Sequence, residues 1–381
     1  VVEGNRADVA VTQVAGRQDL EEFISLPWRI YADDPAWVPP LRREVHAFVD
    51  RDHHPFYRHG AGQTFLARRG EEVVGRILVS DDPHYNERHE TNVGMFGMFE
   101  SVDDPVVAHA LLDAAAGWLR TRGRTGMLGP IEYSTNYTCG LLVSGFETPP
   151  RLLMNHNPPY YRGLLESYRL QPVRELYAWW IDHEPDLRPW LARAERIARR
   201  GVTLRPIRKK DLAAEVEKAK VIYNEAWYDN WGSVKMTDAE FDDLGKHLAE
   251  IADENLLVMA ERDGQPVGFS LSLPDANEAF RVVGDGRLVR WGLVPIGVVK
   301  LLLGLRRIKT FRYFALGVLP GFQGRGIAEA MVLRTMGEAL KAGYTGCEMG
   351  WTLDDNDRVN RAIQAVGARR YKTYLIYQRD L

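Results

Sequence analysis

Cysteine is nearly missing from this chain. Cys139 and Cys347 are the only two among 381 residues, far apart and without the close spacing of a metal knuckle. A disulfide framework is therefore excluded, and a reduced, cytoplasmic setting is expected. Neither sign of charge dominates: 49 Lys and Arg stand against 52 Asp and Glu, a net charge of −3. A chain built as a whole to bind nucleic acid would be strongly basic, so no nucleic-acid partner is expected. No apolar run reaches the roughly 20 residues that cross a bilayer. Low-complexity tracts are lacking, and the opening VVEGNRADVA has no signal-peptide core. His53 and His54 stand without a companion ligand set, so no metal site is expected. What is present is 45% hydrophobic residues, enough for real cores, in a length that suits two domains.

The chain repeats itself. FLARRGEEVVGRILVS (Phe65–Ser80) resembles VMAERDGQPVGFSLSL (Val258–Leu273), with Ala67 and Gly75 matching Ala260 and Gly268. Both read as β-hairpins, two apolar strands around a charged turn with glycine. Val106–Gly126 parallels Gly326–Gly346, each with helical periodicity and a closing glycine. Val173–Asp182 matches Tyr371–Asp380 as a terminal aromatic strand. The order is the same in both halves, which predicts an α/β fold of two mixed-sheet halves in tandem. The polar, proline-bearing DHEPDLRP around Asp182–Pro189 marks the boundary, giving 1–182 and 183–381. The second half carries extra residues between its hairpin and its helix, an insertion over about 281–307.

VLPGFQGRGIAEAMV (Val318–Val332) joins an apolar strand to a helix through Gln323-Gly324-Arg325-Gly326. A helix start leaves several backbone N–H groups without a helical partner, and the helix dipole adds positive charge there. Glycines let an anion approach the backbone, and Arg325 adds a cation, so the join suits a phosphate or pyrophosphate. In this context the second half, about Leu204–Leu381, resembles the GNAT superfamily of acyl-CoA-dependent N-acyltransferases. The family's pyrophosphate loop, Q/R-x-x-G-x-G/A, is matched by Gln323, Gly326 and Ala328. The family's asparagine after the next strand, and a glycine further on, are matched by Asn356 and Gly367. The resemblance implies that Gln323, Gly324, Arg325, Gly326, Ile327, Ala328 and Asn356 hold an acyl-CoA, acetyl-CoA or a longer one. It also implies that the pantetheine arm lies between splayed strands, along the backbone of Leu316 and Val318. In the first half Asp103-Asp104-Pro105-Val106 stands where Gln323–Gly326 stand in the second. Two carboxylates repel a pyrophosphate and proline removes a donor, so that half is read as degenerate and without CoA.

An amine attacking a thioester needs a base for its proton and benefits from an acid at the leaving thiolate. Many relatives place a tyrosine seven residues after the asparagine, but here that residue is Ile363. Tyr371 and Tyr374 on the last strand are the substitutes; otherwise they are ordinary strand aromatics. Glu348 is the leading base, an unusual carboxylate within a buried strand, or else half of a salt bridge. His156, in MNHNPPYY, is a second base, or a histidine in a proline-fixed turn. Asp354 and Asp355 are expected to cap the helix that follows. Trp227, Asn230 and Trp231 fall where the family binds its acceptor, and core packing is the alternative.

The insertion includes Arg287–Arg312, with a nearly apolar Val294–Leu305 flanked by Arg287, Arg290, Arg306, Arg307 and Lys309, and by Trp291. Too short to span a membrane, such a stretch suits an anionic bilayer surface, so peripheral contact through 287–312 is expected. Lining an alkyl channel, or packing as a helix pair, are the other readings. A degenerate GNAT half before a half with such an insertion also resembles bacterial GNAT-type acyltransferases, some of which N-acylate long-chain amines in sphingolipid synthesis. The expected activity is therefore N-acylation of an amine, with a lipid-like acceptor favoured over a small polar one. A non-catalytic acyl-CoA sensor is the rival from another class, and Ile363 supports it. Transfer from aminoacyl-tRNA, which some tandem GNAT-fold proteins perform, is opposed by the intact loop and the lack of a basic helical arm.

Overall fold

The structure, a computed structural model, describes residues 9–182, 201–289 and 294–381. The boundary stretch beyond Asp182, together with Arg290 and Trp291, lies outside the described residues. Two compact units divide the chain. One contains the residues up to Leu176 with Phe280–Lys300 and Lys372–Leu381; the other contains Tyr177–Ala279 with Leu301–Tyr371.

In the first unit strands β1 (Val9–Gln13), β2 (Ala61–Arg69), β3 (Glu72–Asp81) and β4 (Val93–Ser101) follow one another antiparallel. Strand β5 (Gly126–Gly129) joins β4 in parallel from Val93↔Gly126 to Met95↔Leu128, and β6 (Leu141–Ser144) lies off this path. Helices α1 (Gly16–Ser25), α2 (Pro27–Ile30), α3 (Arg42–Val49), α4 (Pro83–His89), α5 (Pro105–Thr121) and α6 (Tyr161–Ser167) complete the N-terminal part. Helix α5 begins where it does because Pro105 is tolerated in a first turn and the Asp104 side chain accepts from the Val106 N–H at 2.8 Å. Its Val107, Leu111, Leu112, Ala115 and Leu119 recur at helical spacing and close on Phe65, Ile77, Val79 and Phe96 of the sheet.

The second unit repeats this plan. Strands β8 (Val202–Pro206), β9 (Leu257–Arg262), β10 (Gln265–Pro274) and β11 (Thr310–Val318) run antiparallel in order, and β12 (Gly346–Leu353) joins β11 in parallel. The β9–β10 hairpin turns at Asp263 and Gly264, both with positive φ (51° and 76°), the pairing that a tight two-residue hairpin loop requires. Helices α7 (Leu212–Ala226) and α8 (Asp238–Ile251) precede β9, and α9 (Asn277–Val283) and α10 (Ile296–Leu305) belong to the insertion. Helix α11 (Ile327–Lys341) sits as α5 does: Ile327, Ala330 and Met331 meet Val258, Ala260 and Val267, while Val332, Met336 and Ala339 meet Phe311, Cys347 and Met349. Helix α12 (Asp357–Ala365) follows β12.

The expected terminal strands form, as β7 (Gln171–Asp182) and β13 (Arg369–Asp380), but their allegiance is crossed. From Tyr177 onwards β7 belongs to the second unit, next to β12. From Lys372 onwards β13 belongs to the first, paired antiparallel with β5 (Arg379↔Met127) and with β6 (Tyr374↔Leu142). The 182/183 division remains a proposal about the sequence repeat; the compact units divide the chain differently.

The exchange has a direct test. A chain ending at Tyr371 leaves β5 and β6 without their antiparallel partner, so hydrogen exchange should accelerate over β6 and at the β5 amides that face β13, while β5 keeps its parallel pairing with β4. Thr310–Leu353 should keep its protection. Unchanged protection of 126–144 would show that the last strand is dispensable to the first unit.

Candidate active site

The parallel β11–β12 ladder runs from Thr310↔Gly346 to Tyr313↔Met349, whereas β11 itself continues to Val318. Beyond Tyr313 the two strands part. Backbone groups of a strand point alternately to either side, so every second residue of 314–318 addresses the side that β12 has left. Leu316 and Val318 are two apart and share a side, as the pantetheine expectation needs. On the other edge β11 stays paired with β10, Ser270 opposite Leu316 and Gly268 opposite Val318.

A buried ion pair lies at the root of this splay. Arg312 and Glu348, opposite one another one rung before the ladder ends, bring Nε and Oε1 to 3.1 Å with side chains 3% and 0% exposed. Arg312 also donates from Nη2 to the Gly350 carbonyl at 2.8 Å. The Tyr371 hydroxyl donates to the second Glu348 oxygen. Both oxygens are thus in polar contact. Tyr371 is half-buried, the least enclosed of the three groups.

Beyond β11 a 3₁₀ turn (Pro320–Phe322) leads to Gln323, whose Nε2 donates back to the Val318 carbonyl at 3.1 Å. Gly324 and Gly326 both take left-handed φ, 71° and 86°, and Gly326 is the N-cap of α11. The first helical N–H to close on a carbonyl of this cap is that of Ala330, onto Gly326, so the N–H groups of Ile327, Ala328 and Glu329 precede the helical ladder. A left-handed glycine cradle ahead of such donors fits a pyrophosphate. Arg325 is exposed beside it. A Cβ built on Gly324 would stand 3.7 Å from Arg358 Nη2, so a second guanidinium borders the loop. Arg358 was not among the expected residues, although its place two residues after Asn356 put it within reach.

Asn356 caps α12, its side chain accepting from the Val359 N–H at 3.3 Å. The capping expected of Asp354 and Asp355 therefore falls to Asn356, because that residue holds the Ncap position. A second asparagine, Asn360, donates to the Leu353 carbonyl at 2.9 Å and accepts from Thr352 Oγ1 at 2.6 Å. Thr352 in turn accepts from Trp179 Nε1 at 2.9 Å, which ties down the diverging end of β12. Ile363, at the usual tyrosine position, packs against the apolar cluster of Trp179, Phe311 and Met349.

The structure places Trp227 just after α7, over β11: a Cβ on Gly317 would come within 2.6 Å of its ring. Asn230 and Trp231 follow in the next turn, where the Asn230 N–H donates to the Trp227 carbonyl at 2.9 Å. Trp227 thus meets the splayed half of β11. Tyr374 and His156 are in the first unit instead. Tyr374 is buried and donates to the Asn155 carbonyl at 3.3 Å. The His156 ring, 2% exposed, holds Asp34 Oδ2 at 2.7 Å through Nε2, and burial pushes its pKa below the ordinary value. In that unit Asp104 caps α5 and also takes Arg69 at 2.6 Å, so the helix start opposite the pyrophosphate loop in the repeat is filled by its own carboxylate. His59, Asp82 and His84 are the one ligand-type cluster among the described residues. Its imidazoles are stacked, with ring centroids 4.4 Å apart and planes 6° from parallel.

A family model for the acetyltransferase (GNAT) family matches residues 216–368. Over its whole length the chain is 36% identical to a bacterial ceramide synthase of Caulobacter vibrioides (strain NA1000 / CB15N), covering 99% of that protein. The chain belongs to the GNAT acyltransferase family. It is an enzyme of that family, an acyl-CoA N-acyltransferase in tandem form. A second relative, Protein YghO of Escherichia coli (strain K12), is 32% identical over 96% of this chain and 94% of its own. Among solved structures, a tandem GNAT protein of the clavulanic acid biosynthesis pathway matches 98% of both chains with TM-score 0.58 at 12% identity. A GNAT protein from Sphaerobacter thermophilus matches 99% of this chain and 96% of its own with TM-score 0.53 at 13% identity. These two likenesses concern the fold, and they extend it over both halves.

The ion pair at the splay carries a stability prediction. Glu348→Gln removes the charge that offsets Arg312 in a buried place and should cost about 3–5 kcal/mol in urea unfolding. Replacing Arg312 and Glu348 together by methionine should recover most of that loss. A single-variant cost below about 1 kcal/mol would mean that the pair is solvated.

Proposed function

We propose that this acyltransferase moves an acyl group from a CoA thioester to the nitrogen of a long-chain, lipid-like amine at a membrane surface. The carrying observation is the full-length relationship, at 36% identity, to a protein named a bacterial ceramide synthase. An apolar, basic insertion in the same chain supports it. The donor is held by the Gln323–Ala328 loop, with Arg325 and Arg358 beside the phosphates and the pantetheine along Leu316–Val318. Asn356 sets the turn from β12 into α12. Trp227, Asn230 and Trp231 line the acceptor side.

For the chemistry we assign the Tyr371–Glu348 pair. The amine nitrogen attacks the thioester carbon and becomes cationic as the carbonyl electrons move to oxygen. Its proton passes to the Tyr371 oxygen while Tyr371 hands its own proton to Glu348, and collapse of the adduct expels CoA thiolate. Arg312 holds Glu348 in place for that transfer. Position 363 is left to packing. His156 and Tyr374 have no part in this step; both serve the first unit. The rival reading, an acyl-CoA sensor, draws on Ile363, and a turnover assay separates the two.

Calorimetric titration with acetyl-CoA and palmitoyl-CoA tests the donor. Palmitoyl-CoA should bind the more tightly at one per chain, and Gly326→Asp should lose both, since a carboxylate then meets the pyrophosphate at a left-handed position. Preference for acetyl-CoA would favour a small polar amine. Two CoA per chain would overturn the degenerate first half.

Tyr371→Phe should lower kcat by roughly 10²–10³-fold with little change in KM for the acyl-CoA, the scale of lost proton transfer. A full rate in that variant, measured by thiol release with a long-chain amine, would remove Tyr371 from the chemistry. No thiol release from the wild type with any amine would favour the sensor.

A further inference from the structure

Helix α10 is buried in an unusual way. Of its ten residues only Gly297 and Gly304 are buried, while four of its large aliphatics are exposed and Val298, Leu301 and Leu305 are partly buried. Ile296, Val299, Leu302 and Leu303 are 40%, 54%, 55% and 47% exposed. The two glycines are seven apart and share a face, which is the helix's footing. A Cβ on Gly297 would stand 2.0 Å from the Arg287 carbonyl oxygen, and one on Gly304 would stand 2.8 Å from Ala279 Cα. The stretch before it is pinned as well: Trp28 Nε1 donates to the Gly284 carbonyl at 3.1 Å, and the Arg42 N–H to that of Gly286 at 2.9 Å. The backbone is thus held closely at its two glycines, and Ile296, Val299, Leu302 and Leu303 are left exposed.

Contiguous exposed aliphatics are disfavoured in water and mark a surface that is covered in use. Charge indicates by what. Between Gly286 and Thr310 the sequence has no Asp or Glu, while Arg287, Lys300, Arg306, Arg307 and Lys309 are all there. Of these, Arg287, Arg306, Arg307 and Lys309 are exposed. Two copies of so basic a patch repel each other, whereas an anionic lipid surface attracts it at about 1 kcal/mol per cation. Ten residues of helix are about 15 Å long, half of a hydrocarbon core of about 30 Å, so the helix lies along the interface rather than across it.

We infer that α10 is a membrane-docking element, seated with Ile296, Val299, Leu302 and Leu303 in the acyl boundary of an anionic bilayer and with its cations at the phosphates. This deepens the lipid-acceptor reading and rests on it for purpose, but it has its own readout. The full chain is sedimented with vesicles of phosphatidylcholine alone or mixed with phosphatidylglycerol, and its affinity for palmitoyl-CoA is measured in solution. Wild type should partition to the phosphatidylglycerol vesicles. Leu302→Ser with Leu303→Ser, and separately Arg306→Glu with Arg307→Glu, should each weaken that partition by roughly tenfold or more and leave palmitoyl-CoA affinity unchanged. Equal partition to both vesicle types, no partition at all, or variants that bind like wild type would each overturn it. So would concentration-dependent dimerisation abolished by the leucine variant, which would make a second copy the occupant. Vesicle binding without acylation of a long-chain amine would leave the docking standing and remove the acceptor proposal.

Discussion

The site depends on where one β-ladder stops. β11 and β12 are parallel neighbours for four rungs, and at the third of these Arg312 faces Glu348 in a place closed to water. A pair of this kind gains little net stability over two well-packed apolar side chains, yet losing one member is costly. Its value is therefore positional. It clamps the strands together immediately before they part, holds the Gly350 carbonyl from the arginine side, and gives the Tyr371 hydroxyl a fixed acceptor. The opening above it is bounded by Trp227 over Gly317 and by the glycine loop that starts α11. Strand separation, aromatic cover and anion cradle all take their positions from the same few residues.

Much of this was legible in the sequence, for reasons that differ element by element. The hairpins at Phe65–Ser80 and Val258–Leu273 could be read because turn glycines and apolar alternation are local signals. The glycine loop could be read because positive φ at a helix start calls for glycine, as Gly324 and Gly326 show. The start of α5 was equally plain from Asp104-Pro105. What escaped was non-local. Alternation in Tyr371–Asp380 announces a strand but not whose edge it joins, so the crossed allegiance of β7 and β13 carried no signal. Glu348 stood out as a carboxylate in a buried strand, but Arg312, which gives it meaning, sits one strand away and looked like the end of a basic stretch. Asp354 and Asp355 obscured the cap that Asn356 supplies.

The insertion shows the reverse case. Its composition was plain in the sequence, where contact with a bilayer surface was expected, with an alkyl channel and ordinary packing as the other readings. In the structure Gly297 and Gly304 are the buried residues of the helix, and Ile296, Val299, Leu302 and Leu303 are exposed. That is the opposite of what a core demands.

The crossed strands bear on how such a protein can change over time. After a repeat is doubled, a half that loses its ligand is ordinarily free to decay or be deleted. Here the first unit takes the last strand of the chain from Lys372 onwards, and the second takes the end of β7 from Tyr177 onwards. Deleting either copy would strip a strand from the other. Each half is therefore retained by the strand it supplies, whatever becomes of its chemistry, and its other surfaces can drift in sequence without the gene ever shedding it.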